Sequence, residues 1–172
     1  MFRVPKAARR ILVVLAACVA LLPLTSGAAS AAGAPVFVNY QSRLCMDDGG
    51  SRSNSTPVIQ FYCNGLSYQN WQLNWTSRST FEIQSQDSGK CLDGQLSTSN
   101  STDIVQYSCY GGSTQLWETA EVFPSGGTDE PVFEYINVLS GKCLDAEASN
   151  NSGVALVQYT CYGGQTQLWY GE

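Results

Sequence analysis

Three aspartates stand two residues beyond a cysteine: Asp47 in "CMD", and Asp93 and Asp145 in two copies of "CLD". The last two lie in the identical segment "SGKCLD", at residues 88–93 and 140–145. A carboxylate repeated at one spacing has three uses. It can accept hydrogen bonds from the hydroxyls of a ligand, and charge-assisted bonds are the stronger kind. It can cap the amides of its own turn. Or it can be half of a hydrolytic pair, which needs a second carboxylate about 5–10 Å away. One Asp per copy of a repeated unit keeps the three apart. The local pair Asp47–Asp48 lacks a distinct acid environment. The chain has no His, which removes Ser-His-Asp and Cys-His catalysis and any His-ligated metal. No enzymatic activity, metal or cofactor is expected.

The cysteines show what must position these aspartates. Cys45–Cys63, Cys91–Cys109 and Cys143–Cys161 are each separated by 18 residues. Close C-x-x-C pairs, the usual zinc spacing, are absent. Six cysteines allow about 15 connectivities by count alone. If the units fold alike, each closes its own bridge. The flanking residues repeat as well. "VIQFYC", "IVQYSC" and "LVQYTC" precede the second cysteines, and Trp71, Trp117 and Trp169 each stand eight residues beyond them. From Cys45 to Cys91 is 46 residues and from Cys91 to Cys143 is 52, the extra six falling in "VFPSGGTDEPVF". A fixed period of this size marks one supersecondary unit used three times.

Within each unit, short apolar stretches are split by Gly, Ser, Asn and Asp. "VFVNY", "FEIQS" and "FEYINV" read as strands leading to the first cysteine, and "VIQFY", "IVQY" and "ALVQY" as strands leading to the second. The expectation is an all-β domain of three units with about four short strands each. Closure around one axis would remove the sheet edges.

The first 31 residues read as a secretory leader: Arg3, Lys6, Arg9 and Arg10, then "ILVVLAACVALLPL", then "ASA" at 29–31 as the cleavage site. The apolar run is short for a membrane span. A rival reading makes "LAAC" a lipidation signal that anchors the protein through Cys18. Removing the leader leaves five Lys/Arg against fourteen Asp/Glu, a net of −9. That charge argues against nucleic acid or an anionic membrane as partner. The expected mature protein is a secreted single domain, residues 32–172, with no membrane insertion, and a monomer. Its repeats are expected near 36–75, 80–121 and 132–171.

Taken together, the C-x-D turn, the paired cysteines and the Q-x-W motif ("QNW" at 69–71, "QLW" at 115–117 and 167–169) resemble the ricin B-type lectin family. The resemblance covers residues 36 to 170. It implies a β-trefoil with pseudo-threefold symmetry and one potential sugar site per repeat. A neutral sugar offers hydroxyls and an apolar C–H face, so its site wants a carboxylate, an amide and an aromatic platform. By resemblance the carboxylates are Asp47, Asp93 and Asp145. The platforms are Phe61, Tyr107 and Tyr159, and the motif glutamines Gln69, Gln115 and Gln167 fix the loop and the site. The closing tryptophans fill the shared core.

Two positions depart from the family pattern. Where many members carry Asn before the Q-x-W glutamine, this chain has Tyr68, Thr114 and Thr166. Where many carry Gln four residues before the second cysteine, Ile59, Val105 and Val157 stand here, and Gln60, Gln106 and Gln158 follow one residue later. A one-residue shift turns a strand side chain to the other face unless a bulge restores it. The expected sites centre on the second and third repeats: Asp93, Gln106, Tyr107, Tyr110 and Gln115, then Asp145, Gln158, Tyr159, Tyr162 and Gln167. Tyr110 and Tyr162 supply a second aromatic wall. Asp47, Phe61 and Gln69 make a weaker first site. The expected partner is an oligo- or polysaccharide, bound by a free-standing module. The alternative is a protein-binding or protease-inhibitory trefoil acting through the loop "PSGGTDEP" at 124–131.

Overall fold

Burial alternates strictly along Phe81–Ser85, as a strand with one face in the core requires. Phe37–Asn39 alternates in the same way, whereas Cys45–Asp47, Cys91–Asp93 and Cys143–Asp145 are buried throughout. The computed structural model describes residues 35–124 and 131–171, all within one compact unit, Gly33–Glu172. The expected leader, with Cys18, lies outside the described residues. So does the interior of the 124–131 loop, of which Pro124 and Pro131 are described.

The described residues form fifteen strands, five per repeat. The first repeat has β1 (Phe37–Asn39), β2 (Cys45–Asp47), β3 (Thr56–Pro57), β4 (Ile59–Phe61) and β5 (Trp71–Trp75). The second has β6 (Phe81–Ser85), β7 (Cys91–Asp93), β8 (Thr102–Asp103), β9 (Val105–Tyr107) and β10 (Trp117–Val122). The third has β11 (Val132–Asn137), β12 (Cys143–Asp145), β13 (Val154–Ala155), β14 (Val157–Tyr159) and β15 (Trp169–Gly171). Short 3-10 turns cover Ser67–Gln69 and Gln165–Gln167.

The outer strands β1, β5, β6, β10, β11 and β15 make a barrel. Antiparallel pairs join β1 to β15, β15 to β11, β11 to β10, β10 to β6 and β6 to β5. The Trp71 amide donates to the Pro35 carbonyl and closes the ring beside β1. The equivalent contacts elsewhere are Trp117 opposite Phe81 and Trp169 opposite Phe133. All three tryptophans are fully buried in one core. Their indole N–H groups donate to the carbonyls of Met46, Leu92 and Leu144. A buried Trp needs such a partner, so the motif fixes the start of each C-x-D strand to the barrel.

Five strands per repeat, rather than four, has a physical cause. The third strand of each unit breaks at Val58, Ile104 and Leu156. Val58 N–H donates to Ile104, Ile104 to Leu156, and Leu156 back to Val58, at 2.8–2.9 Å. This closed triangle of backbone bonds marks the pseudo-threefold axis. On either side of it each segment pairs with its own repeat (β2–β4, β7–β9, β12–β14) and with a neighbour (β3–β9, β8–β14, β13–β4). The fold is therefore the expected all-β trefoil. Each repeat carries its own disulfide, Cys45–Cys63, Cys91–Cys109 and Cys143–Cys161, as the repetition suggested.

Candidate functional site

Strand register decides which side chains share a face. Asp93 lies opposite Val105, Leu92 opposite Gln106 and Cys91 opposite Tyr107. Residues opposite one another point the same way, and the direction alternates along the strand. Asp93 and Tyr107 therefore face one side, Leu92 and Gln106 the other. The third repeat has the same register, with Asp145 opposite Val157 and Cys143 opposite Tyr159.

Each C-x-D carboxylate is held at both oxygens. Oδ1 accepts the amide two residues on, from Gly49, Gln95 or Glu147, at 2.7 Å. Oδ2 accepts Nε2–H of the motif glutamine: Gln69 at 2.9 Å, Gln115 at 3.0 Å, Gln167 at 2.9 Å. Each glutamine also donates to the carbonyl of Tyr62, Ser108 or Thr160. Its Oε1 accepts the amide of Asn64, Tyr110 or Tyr162. The glutamines are buried behind the aspartates. They tie the loop after the second cysteine to the carboxylate and do not themselves reach the cleft.

The clefts open above these aspartates. In the second repeat a cleft of about 320 Å³ is lined by Asp93, Val105, Tyr107, Tyr110, Gln95 and Leu96, with Ser55 from the first repeat. In the third, a cleft of about 480 Å³ is lined by Asp145, Glu147, Ala148, Tyr159 and Tyr162, with Ser101 from the second repeat. Tyr107 and Tyr110 stand edge to face, 6.2 Å between centroids at 86°, and Tyr159 and Tyr162 match them at 6.1 Å and 81°. Asp93 and Asp145 themselves are nearly buried, so each offers only the edge of its carboxylate.

The second aromatic wall is built locally. A Cβ on Gly112 would lie 2.2 Å from the Tyr110 ring, and one on Gly164 2.0 Å from the Tyr162 ring. Only glycine lets the ring fold back over that backbone. The Tyr110 and Thr114 hydroxyls then bond to each other, as do those of Tyr162 and Thr166. Thr114 and Thr166 stand at the family's Asn position. They are buried, and they anchor a tyrosine instead of reaching a ligand.

The first repeat exchanges these parts. Asn64 replaces the tyrosine, Leu66 the glycine, and Tyr68 the threonine. Its cleft, about 290 Å³, is lined by Asp47, Gly49, Phe61, Asn64, Leu66 and Tyr68. The first site thus keeps a carboxylate and two aromatics, with the second ring arriving from four residues later.

One group of expected site residues is corrected. Gln106 and Gln158 are fully buried and absent from the clefts. Gln106 Nε2 donates to the carbonyls of Asp48 and Ser51, Gln158 to Ser97, and Gln60 to Ser149, in every case across a repeat boundary. The ladder runs through them without a bulge, so the shifted glutamine faces inward. These side chains lace the repeats together. Ser42 and Ser140 complete Gln60 and Gln158 by donating to Oε1, whereas Gln106 Oε1 has no partner among the described residues.

The same junction carries an unusual acid. Asn39 and Asn137 reach the carbonyls of Thr166 and Thr114. The equivalent Ser85 is shorter, and the buried Asp48 reaches across to accept its hydroxyl. Burial pushes the Asp48 carboxyl above its ordinary value, bonds from Ser85 and the Gly50 amide pull it back, and Asp87 and Asp47 raise it further. A cluster of Glu82 with Cys91 and Cys109 has metal-like proximity, but both sulfurs belong to a disulfide.

Sequence reasoning missed Ser55, Gln95, Leu96, Ser101, Glu147 and Ala148 at the cleft rims, and Asn64, Leu66 and Tyr68 in the first repeat. A signal existed: after the C-x-D turn the repeats read "GG", "QL" and "EA" at 49–50, 95–96 and 147–148.

Comparison with known proteins places this geometry. Residues 35–123 match the model of the ricin-type beta-trefoil lectin domain, and residues 113–172 that of the ricin-type beta-trefoil lectin domain-like family. No curated protein sequence matches the chain. Among solved structures it is similar to the designed 3-fold symmetric protein ThreeFoil, with TM-score 0.72 and 31% identity over 80% of this chain and 96% of that one. It also resembles 1,3Gal43A, an exo-beta-1,3-galactanase from Clostridium thermocellum, with TM-score 0.73 and 24% identity over 81% of this chain. This chain spans only 30% of that enzyme. A ricin B-like lectin from Macrolepiota procera, solved in complex with lactose, superposes with TM-score 0.65 and 17% identity over 81% of this chain and 95% of that one. The last two likenesses speak to fold alone. With half of its length matched by the family model, and with the threefold ring, the tethered aspartates and the Q-x-W tryptophans in place, the chain belongs to the ricin-type beta-trefoil lectin domain family.

Proposed function

We propose that this domain binds carbohydrate through the clefts of its second and third repeats. The observation that carries the reading is the convergence, in each cleft, of a carboxylate edge with two perpendicular tyrosines. A pyranose ring lays its C–H face on Tyr107 or Tyr159 and meets Tyr110 or Tyr162 with its edge, while a hydroxyl donates to Asp93 or Asp145. Family membership and the lactose complex of the Macrolepiota lectin support this class of ligand. The first cleft, with Asn64 and Leu66 in place of Tyr and Gly, binds more weakly or differently. The domain works by binding and not by catalysis: Asp47, Asp93 and Asp145 stand in different repeats, and each has both carboxylate oxygens held by a backbone amide and the motif glutamine, so that even Asp145, which shares its cleft with Glu147, is a tethered acceptor rather than a free acid or nucleophile. We further propose that the mature chain is secreted and monomeric. Three disulfides suit an oxidising compartment, and among the described residues no helix is long and apolar enough to cross a membrane. The test is isothermal titration of the oxidised protein with mono- and oligosaccharides, repeated on Tyr107→Ala, Tyr159→Ala. Both tyrosines are partly exposed, so the variant should stay folded and lose binding at least tenfold. Undiminished binding would overturn the site assignment.

A further inference from the structure

Six described residues other than glycine have positive φ: Arg43 (60°), Ser55 (61°), Gln95 (61°), Ser101 (56°), Glu147 (54°) and Ala148 (52°). This region crowds Cβ against the backbone, and glycine is its natural occupant. Five of the six line the two aromatic clefts: Ser55 and Gln95 the second, Ser101, Glu147 and Ala148 the third. The repeat positions equivalent to these five are glycine elsewhere: Gly49 (72°), which lines the first cleft, Gly50 (64°) and Gly153 (86°).

The backbone bonds of these turns do not depend on the side chains. The Ser55 amide donates to Gln106 O and the Ser101 amide to Gln158 O at 2.9 Å. Gly153 makes the same bond to Gln60 O at 2.8 Å. The carboxylate likewise accepts an amide from Gly49 as readily as from Gln95 or Glu147. Strain kept at a cleft rim, and relieved in the repeat whose Tyr-Gly-Thr wall is replaced by Asn64, Leu66 and Tyr68, points to a use for those side chains in the cleft.

We propose that Ser55 and Gln95 in the second cleft, and Ser101, Glu147 and Ala148 in the third, are specificity-determining rim residues that contact bound carbohydrate, and that the first cleft lacks this rim. The proposal rests on the carbohydrate reading of the clefts. The two rims differ in chemistry. Gln95 Nε2 donates to Asp103 O at 2.7 Å, which leaves its neutral Oε1 for ligand hydroxyls. Glu147 presents an exposed carboxylate beside Asp145. A like charge there repels an anionic ring, so the third cleft rejects uronic acids and accepts neutral or amino sugars.

The experiment compares three proteins: the parent, a variant with all five residues changed (Ser55→Gly, Gln95→Gly, Ser101→Gly, Glu147→Gly, Ala148→Gly), and Glu147→Gln. Each is titrated with a neutral oligosaccharide panel and with oligogalacturonate, and its thermal midpoint is recorded. The glycine variant is expected to melt at or above the parent's midpoint yet bind the preferred neutral glycan at least tenfold more weakly. Glu147→Gln should narrow the preference for neutral over uronic ligands at least threefold. Parental affinity in the glycine variant, or a lowered midpoint, would overturn the inference. If the parent binds no glycan at all, the carbohydrate reading fails and takes the rim with it. A binding parent with an indifferent variant sinks only the rim.

Discussion

At Asp93 and Asp145 one oxygen organises a turn and the other tethers a glutamine, so on the proposed reading binding and fold share a side chain. Replacing either Asp with Ala leaves a part-buried backbone amide and a buried Nε2–H without their acceptor. Each substitution should cost about 1–3 kcal/mol of stability, read by denaturant titration, besides its effect on binding. The tyrosine wall separates the two roles better. Thr114→Val removes the hydroxyl that anchors Tyr110. It should cost at most about 1 kcal/mol while weakening glycan binding at the second cleft several-fold, measured by titration calorimetry. An equal effect on a Tyr110→Phe background would show that the anchor is irrelevant. Asp48 gives a pH signature. Its carboxyl titrates higher in the folded protein than in the unfolded chain. The folded state therefore binds more protons between the two values, and this group's contribution to stability rises as pH falls through the folded value. Subtracting the stability of Asp48→Asn from that of the parent, from pH 7 to pH 4, should give a difference that grows in the parent's favour on acidification. A flat difference would contradict the shift.

The hairpin elements carry the parts of the structure that were most legible in sequence. Three Cys pairs at one interval, and three tryptophans at one offset, imposed a repeat, and a repeat imposed intra-unit bridges. The trefoil followed from resemblance on the same residues. Removing Cys91–Cys109 as a Cys→Ala pair should cost about 3 kcal/mol, the chain-entropy value for a loop of this size, visible as a lower thermal midpoint. An unchanged midpoint would mean that the barrel and the axis ring hold the hairpin without it. What was illegible depended on register. Gln106 could be aimed at the cleft or the junction only by knowing that it sits opposite Leu92 rather than across a bulge. The Tyr110–Gly112–Thr114 coupling was hidden for a similar reason: the ring's path over glycine is set by the loop, and side-chain type alone does not reveal it.

At the scale of the whole molecule, one ring of backbone bonds fixes three clefts on a rigid body. On the carbohydrate reading such a body can engage a polymer at more than one point, so its affinity for a polysaccharide should exceed that for the matching monosaccharide. Disabling one cleft should reduce polysaccharide affinity by a larger factor than it reduces the average monosaccharide affinity. Equal factors would mean that the clefts act alone. The most direct test of the central claim is a glycan array probed with oxidised mature protein beside an Asp93→Ala, Asp145→Ala variant whose fold is verified by circular dichroism. The parent should bind a defined set of neutral glycans, and the folded variant should lose them. Retention of the same binding by the folded variant, or no glycan bound by the parent, would contradict the claim.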